Sequence, residues 1–297
     1  MFRLIYRQRR RHLFAGFFAI LSCVSFLLQP GTLPYFASEP MILLVLTVGL
    51  TSVIAAICMM LISVVLVVVV PSMRMAVEFF SIMLFLNIAL FDHLPLWITD
   101  RGLEVGVWIA AYITLFSITY GTWLDRYRIW LDHSETRRFR IKGTAEELWD
   151  WLVPGLDRKG GANWEPLLKK MEERADEPNV FDVEYRIGHA QFEHQTIKYE
   201  AVSYPRHARY AFQGELNPAN KHLVSGIMEF TIDPIADTDH CKITLTRSRQ
   251  ALLVREGLLM WFDDALGDQV DHLRAKWTDR WDWSMAGKFR RHAAALS

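Results

Sequence analysis

Residues 139–152, FRIKGTAEELWDWL, decide the fold. Phe139 and Ile141 fall on one face and Arg138 and Arg140 on the other, the period of a half-buried strand over 137–141. Thr144, followed three residues later by Glu147, is the signature of a capping box that opens a helix over 145–152. Pro154-Gly155 stops that helix. A strand thus hands over to an amphipathic helix within fourteen residues.

Alternation resumes further along. Residues 181–187 put Phe181, Val183, Tyr185 and Ile187 opposite Asp182, Glu184 and Arg186. Residues 193–202 set Ile197, Tyr199 and Ala201 against Thr196, Lys198 and Glu200. Similar patterns cover 206–216, 222–232 and 242–250. Gly188, Tyr204-Pro205, Asn217-Pro218 and Asp233-Pro234 separate them. The pattern predicts an antiparallel sheet with one polar face. Pro166 fits the first turn of a short helix over 165–174. A long helix is predicted over about 254–284, with Leu259, Phe262, Leu266, Val270, Leu273, Trp277 and Trp281 on one stripe. A sheet with one apolar face and a long amphipathic helix must bury those faces together. Curling the sheet around the helix gives an α+β helix-grip domain.

This arrangement resembles the START-like (SRPBCC) superfamily, which includes polyketide cyclases, Bet v 1-like proteins and lipid-transfer domains. The resemblance rests on residues 139–152 and on Ala162-Asn-Trp-Glu-Pro166, and spans about 135–284. It is a pattern of order and spacing without a catalytic motif. It implies a cavity for a hydrophobic ligand between sheet and helix, and in some members cyclisation or hydrolysis there.

N-terminal to this domain the chain changes solvent. Of 33 basic and 33 acidic residues, 1–123 hold only seven and five. Apolar runs at 13–28, 41–70, 76–91 and 103–123 predict an α-helical membrane bundle of four transmembrane helices. The second run is long enough to tilt, and Pro71 ends or kinks it. Arg3, Arg7, Arg9, Arg10 and Arg11 precede the first run, Arg74 lies between the second and third, Arg126, Arg128, Arg137 and Arg138 follow the fourth, and the loops on the other side hold only Arg101. Lys/Arg bias then puts the N-terminus and the C-terminal domain in the cytoplasm of an inner or plasma membrane protein. Glu78 and Glu104 lie at span ends, where Glu78 can pair with Arg74 four residues earlier, so anchoring is a simpler role for the spans than transport. Trp123, Tyr127 and Trp130 form an aromatic stripe suited to the headgroup layer. The predicted domains are 1–123 (membrane), 124–134 (interfacial linker helix) and 135–297 (helix-grip). The tail, with Trp281, Trp283 and Phe289 among Lys288, Arg290 and Arg291, either touches the same membrane surface or finishes a packed helix.

A mean hydropathy of +0.12 and zero net charge average these two halves. They exclude a disordered chain and disfavour nucleic acid as a partner. Three dispersed cysteines exclude a disulfide scaffold. Gly160-Gly161 lacks the following Lys-Ser/Thr of a phosphate loop, and His189, His194, His240 and Cys241 lack metal-ligand spacing. No cofactor or metal is expected. The candidate residues lie on the sheet's apolar face: Tyr185, Gln195, Tyr199, Tyr210, Phe212, Met228, Phe230 and Arg247, with Leu259 and Phe262 opposite them. An apolar cavity with a few placed polar groups is the expected form of a small-molecule site, and a buried Arg247 needs a partner or an anionic ligand head. The expectation is binding of a hydrophobic small molecule or lipid beside the bilayer. A cyclase or hydrolase in the same cavity and a structural or regulatory membrane protein without a cavity are the alternatives.

Overall fold

The computed structural model describes residues 1–29, 40–90, 101–121, 127, 130–156, 168–186, 192–217, 222–288 and 291. The chain forms two compact units, Met1–Tyr127 with Trp261–Asp264, and Arg128–Met260 with Ala265–Ser297.

The first unit contains α1 (Phe2–Arg7), α2 (Arg9–Leu27), α3 (Met41–Val69), α4 (Ala76–Leu90) and α5 (Arg101–Tyr120). Helix α2 packs on α3 and α4 through buried Ala15, Gly16, Ala19 and Ser22. Small residues permit such close approach between apolar helices. Gly16 lies against Met60 and Ala56 of α3. Elsewhere α3 turns Ile42, Val45, Leu46, Leu50 and Val53 outward, a face suited to lipid rather than water. The chain leaves helix geometry at Val70, and Pro71 opens a single turn of 3-10 helix.

Among the described residues, two helices, Arg9–Leu27 and Ile42–Val69, are long and apolar enough to cross a membrane, where the sequence predicts four. Helix α4 has 15 residues and the apolar part of α5 covers Val105–Ile118. At 1.5 Å per residue, α4 reaches only ~22 Å against a hydrocarbon core of ~30 Å. Residues 91–100, which follow it, and residues 30–39, between the first and second apolar runs, lie outside the described residues.

Charged groups gather at one end of this unit. Arg11 is fully buried; its Nε donates to Glu78 Oε1 at 2.5 Å and its Nη1 stands 3.0 Å from Asp263 Oδ1. Arg74 pairs with Asp263 at 3.0 Å, and Arg7 with Asp264 at 2.9 Å. The helical spacing predicted that Glu78 pairs with Arg74; instead Glu78 pairs with Arg11, and Arg74 with Asp263. Nearby, His12 Nδ1 lies 2.6 Å from Ser63 Oγ.

The second unit is a seven-stranded antiparallel sheet with helices. In sequence it runs β1 (Trp130–Lys142), α6 (Ala145–Leu152), β2 (Leu168–Glu173), β3 (Val180–Arg186), β4 (Phe192–Ser203), β5 (His207–Asn217), β6 (His222–Pro234), β7 (His240–Leu253), α7 (Val254–Asp263) and α8 (Ala265–Trp277). The last residues of α7 belong to the first unit. Strand order is β1-β7-β6-β5-β4-β3-β2. The inner face carries Phe139, Ile141, Phe181, Val183, Ile197, Tyr199, Tyr210, Phe230, Ile232, Ile243 and Leu245, packed on Leu148, Trp149 and Leu152 of α6 and Leu266, Val270 and Leu273 of α8. The capping box forms as the sequence predicts. Glu147 N donates to Thr144 Oγ1 at 3.2 Å, and Thr144 N to Glu147 Oε2 at 3.1 Å.

Three sequence expectations change. Residues 168–173 form edge strand β2, not part of a helix. A β-bulge between Leu168 and Lys170 turns both Leu168 and Met171 inward. That three-residue interval imitates a helical period. Residues 130–134 belong to β1 rather than to an interfacial linker helix, while 122–126 and 128–129 lie outside the described residues. The long C-terminal helix is two helices, broken at Asp264, whose φ of 48° is left-handed, and ending at Trp277.

Candidate functional site

The two ends of the sheet's inner face differ in chemistry. At one end, α6 closes the core with Trp149 and Leu152, both fully buried, and Trp151 stacks 5.0 Å from Trp277. Tyr199 donates its hydroxyl to Pro154 O at 2.5 Å. The ring series Phe181, Tyr199, Tyr210, Phe230 continues across the sheet at centroid spacings of 5.9, 5.4 and 5.9 Å. This region is dry packing.

The other end is polar. Strand register aligns Glu135 of β1 with Arg247 of β7, Arg247 with Met228 of β6, Met228 with Tyr210 of β5, Gly214 of β5 with Gln195 of β4, and Tyr185 of β3 with Leu168 of β2. Beyond Leu245 the inward positions of β7 are Arg247 and Arg249, both half-buried. Arg247 Nη1 donates to Gln269 Oε1 of α8 at 2.8 Å. The Arg249 guanidinium lies 5.8 Å over the Phe212 ring, a cation–π contact. Phe212 in turn covers Gly226, where a Cβ would stand 2.4 Å from Phe212 Cζ.

On β1, Glu135 is 7% exposed on the inner face. Its Oε2 accepts the Leu266 N–H at 3.0 Å, capping the start of α8. Its Oε1 stands 2.6 Å from His133 Nε2, and Arg137 Nη2 is 3.9 Å from Oε2. One carboxylate thus stands among His133 and the inward arginines Arg137, Arg247 and Arg249. Such an end can receive an anionic group, and His133 with Glu135 has the geometry of a proton-transfer pair.

The predicted site residues distribute as follows. Tyr210, Phe212, Met228 and Phe230 are buried core, and Tyr199 is core with its hydroxyl bound to Pro154. Tyr185, Gln195 and Arg247 are half-buried toward the polar end. Leu259 is half-buried on α7. Phe262 belongs to the first unit, packed edge-on against Phe14 at 5.4 Å with the Arg11 guanidinium 5.6 Å over its ring. Of the interfacial stripe, Tyr127 is exposed, Trp130 has its backbone in β1, and Trp123 lies outside the described residues. Sequence reading missed His133, Glu135 and Arg249. Counting inward from Phe139 and Leu245 by twos reaches Glu135 and Arg249, so the signal was present.

Cys241 is buried on the inner face and donates weakly to Gly143 O at 3.3 Å. Burial, then Glu146 and Asp233, push its thiol above the ordinary range, which suits packing rather than nucleophilic chemistry. Among the described residues, no group of three or more His, Cys, Asp or Glu could hold a metal ion.

No family model matches the chain, and no curated protein matches it. Several solved structures do. A conserved protein from Geobacillus kaustophilus has 19% identity, covering 49% of this chain and 94% of that one with a TM-score of 0.36. Mll3558 from Rhizobium loti has 8% identity, covering 49% and 96% with a TM-score of 0.36. Ara h 8.0201, a Bet v 1 relative, has 16% identity, covering 49% and 97% with a TM-score of 0.34.

Proposed function

We propose that this chain is a membrane-anchored binding protein whose second unit takes a hydrophobic ligand with an anionic head. The apolar tail enters at the half-buried end of the inner face, on the side of Tyr185 and Gln195, and the head meets the arginines of that end. One observation carries the reading: Arg247 and Arg249 continue the apolar face of β7 as half-buried inward positions. A mostly apolar interior surface that ends in cationic side chains matches the two chemistries of an amphiphile, a hydrophobic tail and an anionic head. In this reading the apolar helices cross the bilayer four times, and both the N-terminus and the second unit are cytoplasmic. Anchoring raises the effective concentration of the site for ligands dissolved in the membrane.

The test is solvent extraction of purified residues 128–297 followed by mass spectrometry. A lipid-like anion retained by the native sequence and lost in Arg247→Gln supports the proposal. No retained amphiphile, or retention unaffected by Arg247→Gln and Arg249→Gln together, refutes it.

A second reading has its own support. His133 and Glu135, 2.6 Å apart, supply an acid–base pair at the same end. An enzyme of the cyclase or hydrolase type would turn over a lipophilic ester or polyketide-like substrate, and His133→Ala would abolish turnover while leaving binding intact.

A further inference from the structure

We propose that the C-terminal tail is a docking element for the anionic headgroup layer of a bilayer. Past α8 the chain turns back along that helix and is fixed there by side-chain caps. Asp268 accepts from Met285 N at 2.8 Å and from Ala286 N at 3.1 Å. Asp282 Oδ2 stands 2.5 Å from His272 Nδ1, and Asp282 Oδ1 accepts from Ser284 N and Ser284 Oγ. Ser284 Oγ accepts from Gly287 N at 2.9 Å. Met285 and Ser284 are buried in this arrangement.

A segment held by so many hydrogen bonds would be expected to bury its largest apolar side chains. It does the reverse. Trp281 is 66% exposed and Trp283 39% exposed. Each carries a cation: the Arg291 guanidinium lies 4.7 Å over the Trp281 ring, and Lys288 Nζ lies 6.0 Å from the Trp283 ring. Burial, then Arg291, press the Lys288 ammonium below its ordinary pKa, a tension that a nearby phosphate would relieve. Residues 276–291 hold five basic and two acidic side chains, and one of the two, Asp282, is already engaged by His272 and Ser284.

Indole rings prefer the boundary between hydrocarbon and water, where the ring is apolar and the N–H is wet. Lysine and arginine beside them meet lipid phosphates, each contributing about 1 kcal/mol at an anionic surface. Exposed indoles, cations on their faces and net positive charge fit that layer together. This inference does not depend on ligand binding inside the sheet.

The test uses the full chain in nanodiscs of mixed neutral and anionic phospholipid. Emission of Trp281 and Trp283 is isolated as the difference between the native protein and W281F/W283F, with circular dichroism as the folding control. That emission is expected to be quenched by lipids brominated in the upper acyl chain and shielded from aqueous iodide. Replacing anionic by neutral lipid, or introducing K288E/R291E, should reduce lipid quenching by about twofold or more. Quenching by iodide without quenching by lipid overturns the proposal. So does shielding from both, which would mean a protein partner or a second copy covers the tail, and so does lipid quenching indifferent to charge. Ligand retention by residues 128–297 is measured separately, so the two proposals fail independently.

Discussion

Gly143 joins β1 to α6 at φ +146°, a conformation costly for any residue with a side chain. A Cβ there would also lie 2.9 Å from Trp277 Cζ2, and Trp277 is pinned by its indole N–H to Lys142 O at 2.7 Å. Gly143→Ala should cost about 1–3 kcal/mol, read as a lower urea midpoint for the second unit. Cys241 supplies a pH prediction. Its raised pKa leaves less thiolate than an ordinary cysteine, so at about pH 8 alkylation should be at least ~10-fold slower than for free cysteine, rising with pH and restored in denaturant. Fast alkylation at Cys241 itself, with Cys23 and Cys58 replaced by serine, would contradict the burial assigned to it. Asp282 works the other way. Burial alone would raise its carboxyl, but hydrogen bonds from His272 and Ser284 outweigh that and hold it below the ordinary range. A depressed folded pKa gives stabilisation that is complete above the unfolded value and lost as pH falls through the folded one. The tail should therefore stay docked on α8 at about pH 5 and loosen only below about pH 4, seen as faster exchange of the Ser284 and Gly287 amides after correction for intrinsic rates.

At the scale of elements, local chemistry was legible wherever one period acted alone. Phe139/Ile141 and the Thr144–Glu147 box marked the β1–α6 junction because strand alternation and capping each have a short, specific signature. The same reasoning failed at β2, where a bulge placed Leu168 and Met171 on one face at helical spacing. It failed again at Asp264. The apolar stripe runs in phase from Leu259 through Phe262 to Leu273, so periodicity showed no break. The break depends on contacts distant in sequence: Asp264 with Arg7 at 2.9 Å, and Leu266 N with Glu135 at 3.0 Å. Glu135→Ala should remove the α8 cap and cost about 1–2 kcal/mol, with accelerated amide exchange at Leu266. An unchanged Leu266 exchange rate would show that Glu135 does not hold that helix start.

For the molecule as a whole, composition separated an apolar half from a polar half, but could not say which charges would meet. Arg11 is the clearest case. It reads as one of several N-terminal arginines, yet it is fully buried between Glu78 and Asp263. Removing Arg11 leaves the buried Glu78 without its partner while Asp263 keeps Arg74, so Arg11→Ala should destabilise the first unit by about 3–5 kcal/mol, measured as a lower thermal transition in detergent. The polar end of the sheet was only half legible for a related reason. Alternation assigns residues to a face, but the pairing of β1, β7, β6 and β5 decides which residues stand at the same end, and that register is set by the fold. The central claim is that these gathered arginines hold the head of an amphiphile whose tail enters the apolar interior. Its most direct test is a fluorescence titration of residues 128–297 with cis-parinaric acid, a polyene carrying a carboxylate. The account predicts saturable one-to-one binding, weakened about tenfold or more by Arg247→Gln, the loss of one charge-assisted hydrogen bond. Non-saturating partition, or equal affinity in the native protein and in the double variant R247Q/R249Q, would contradict it.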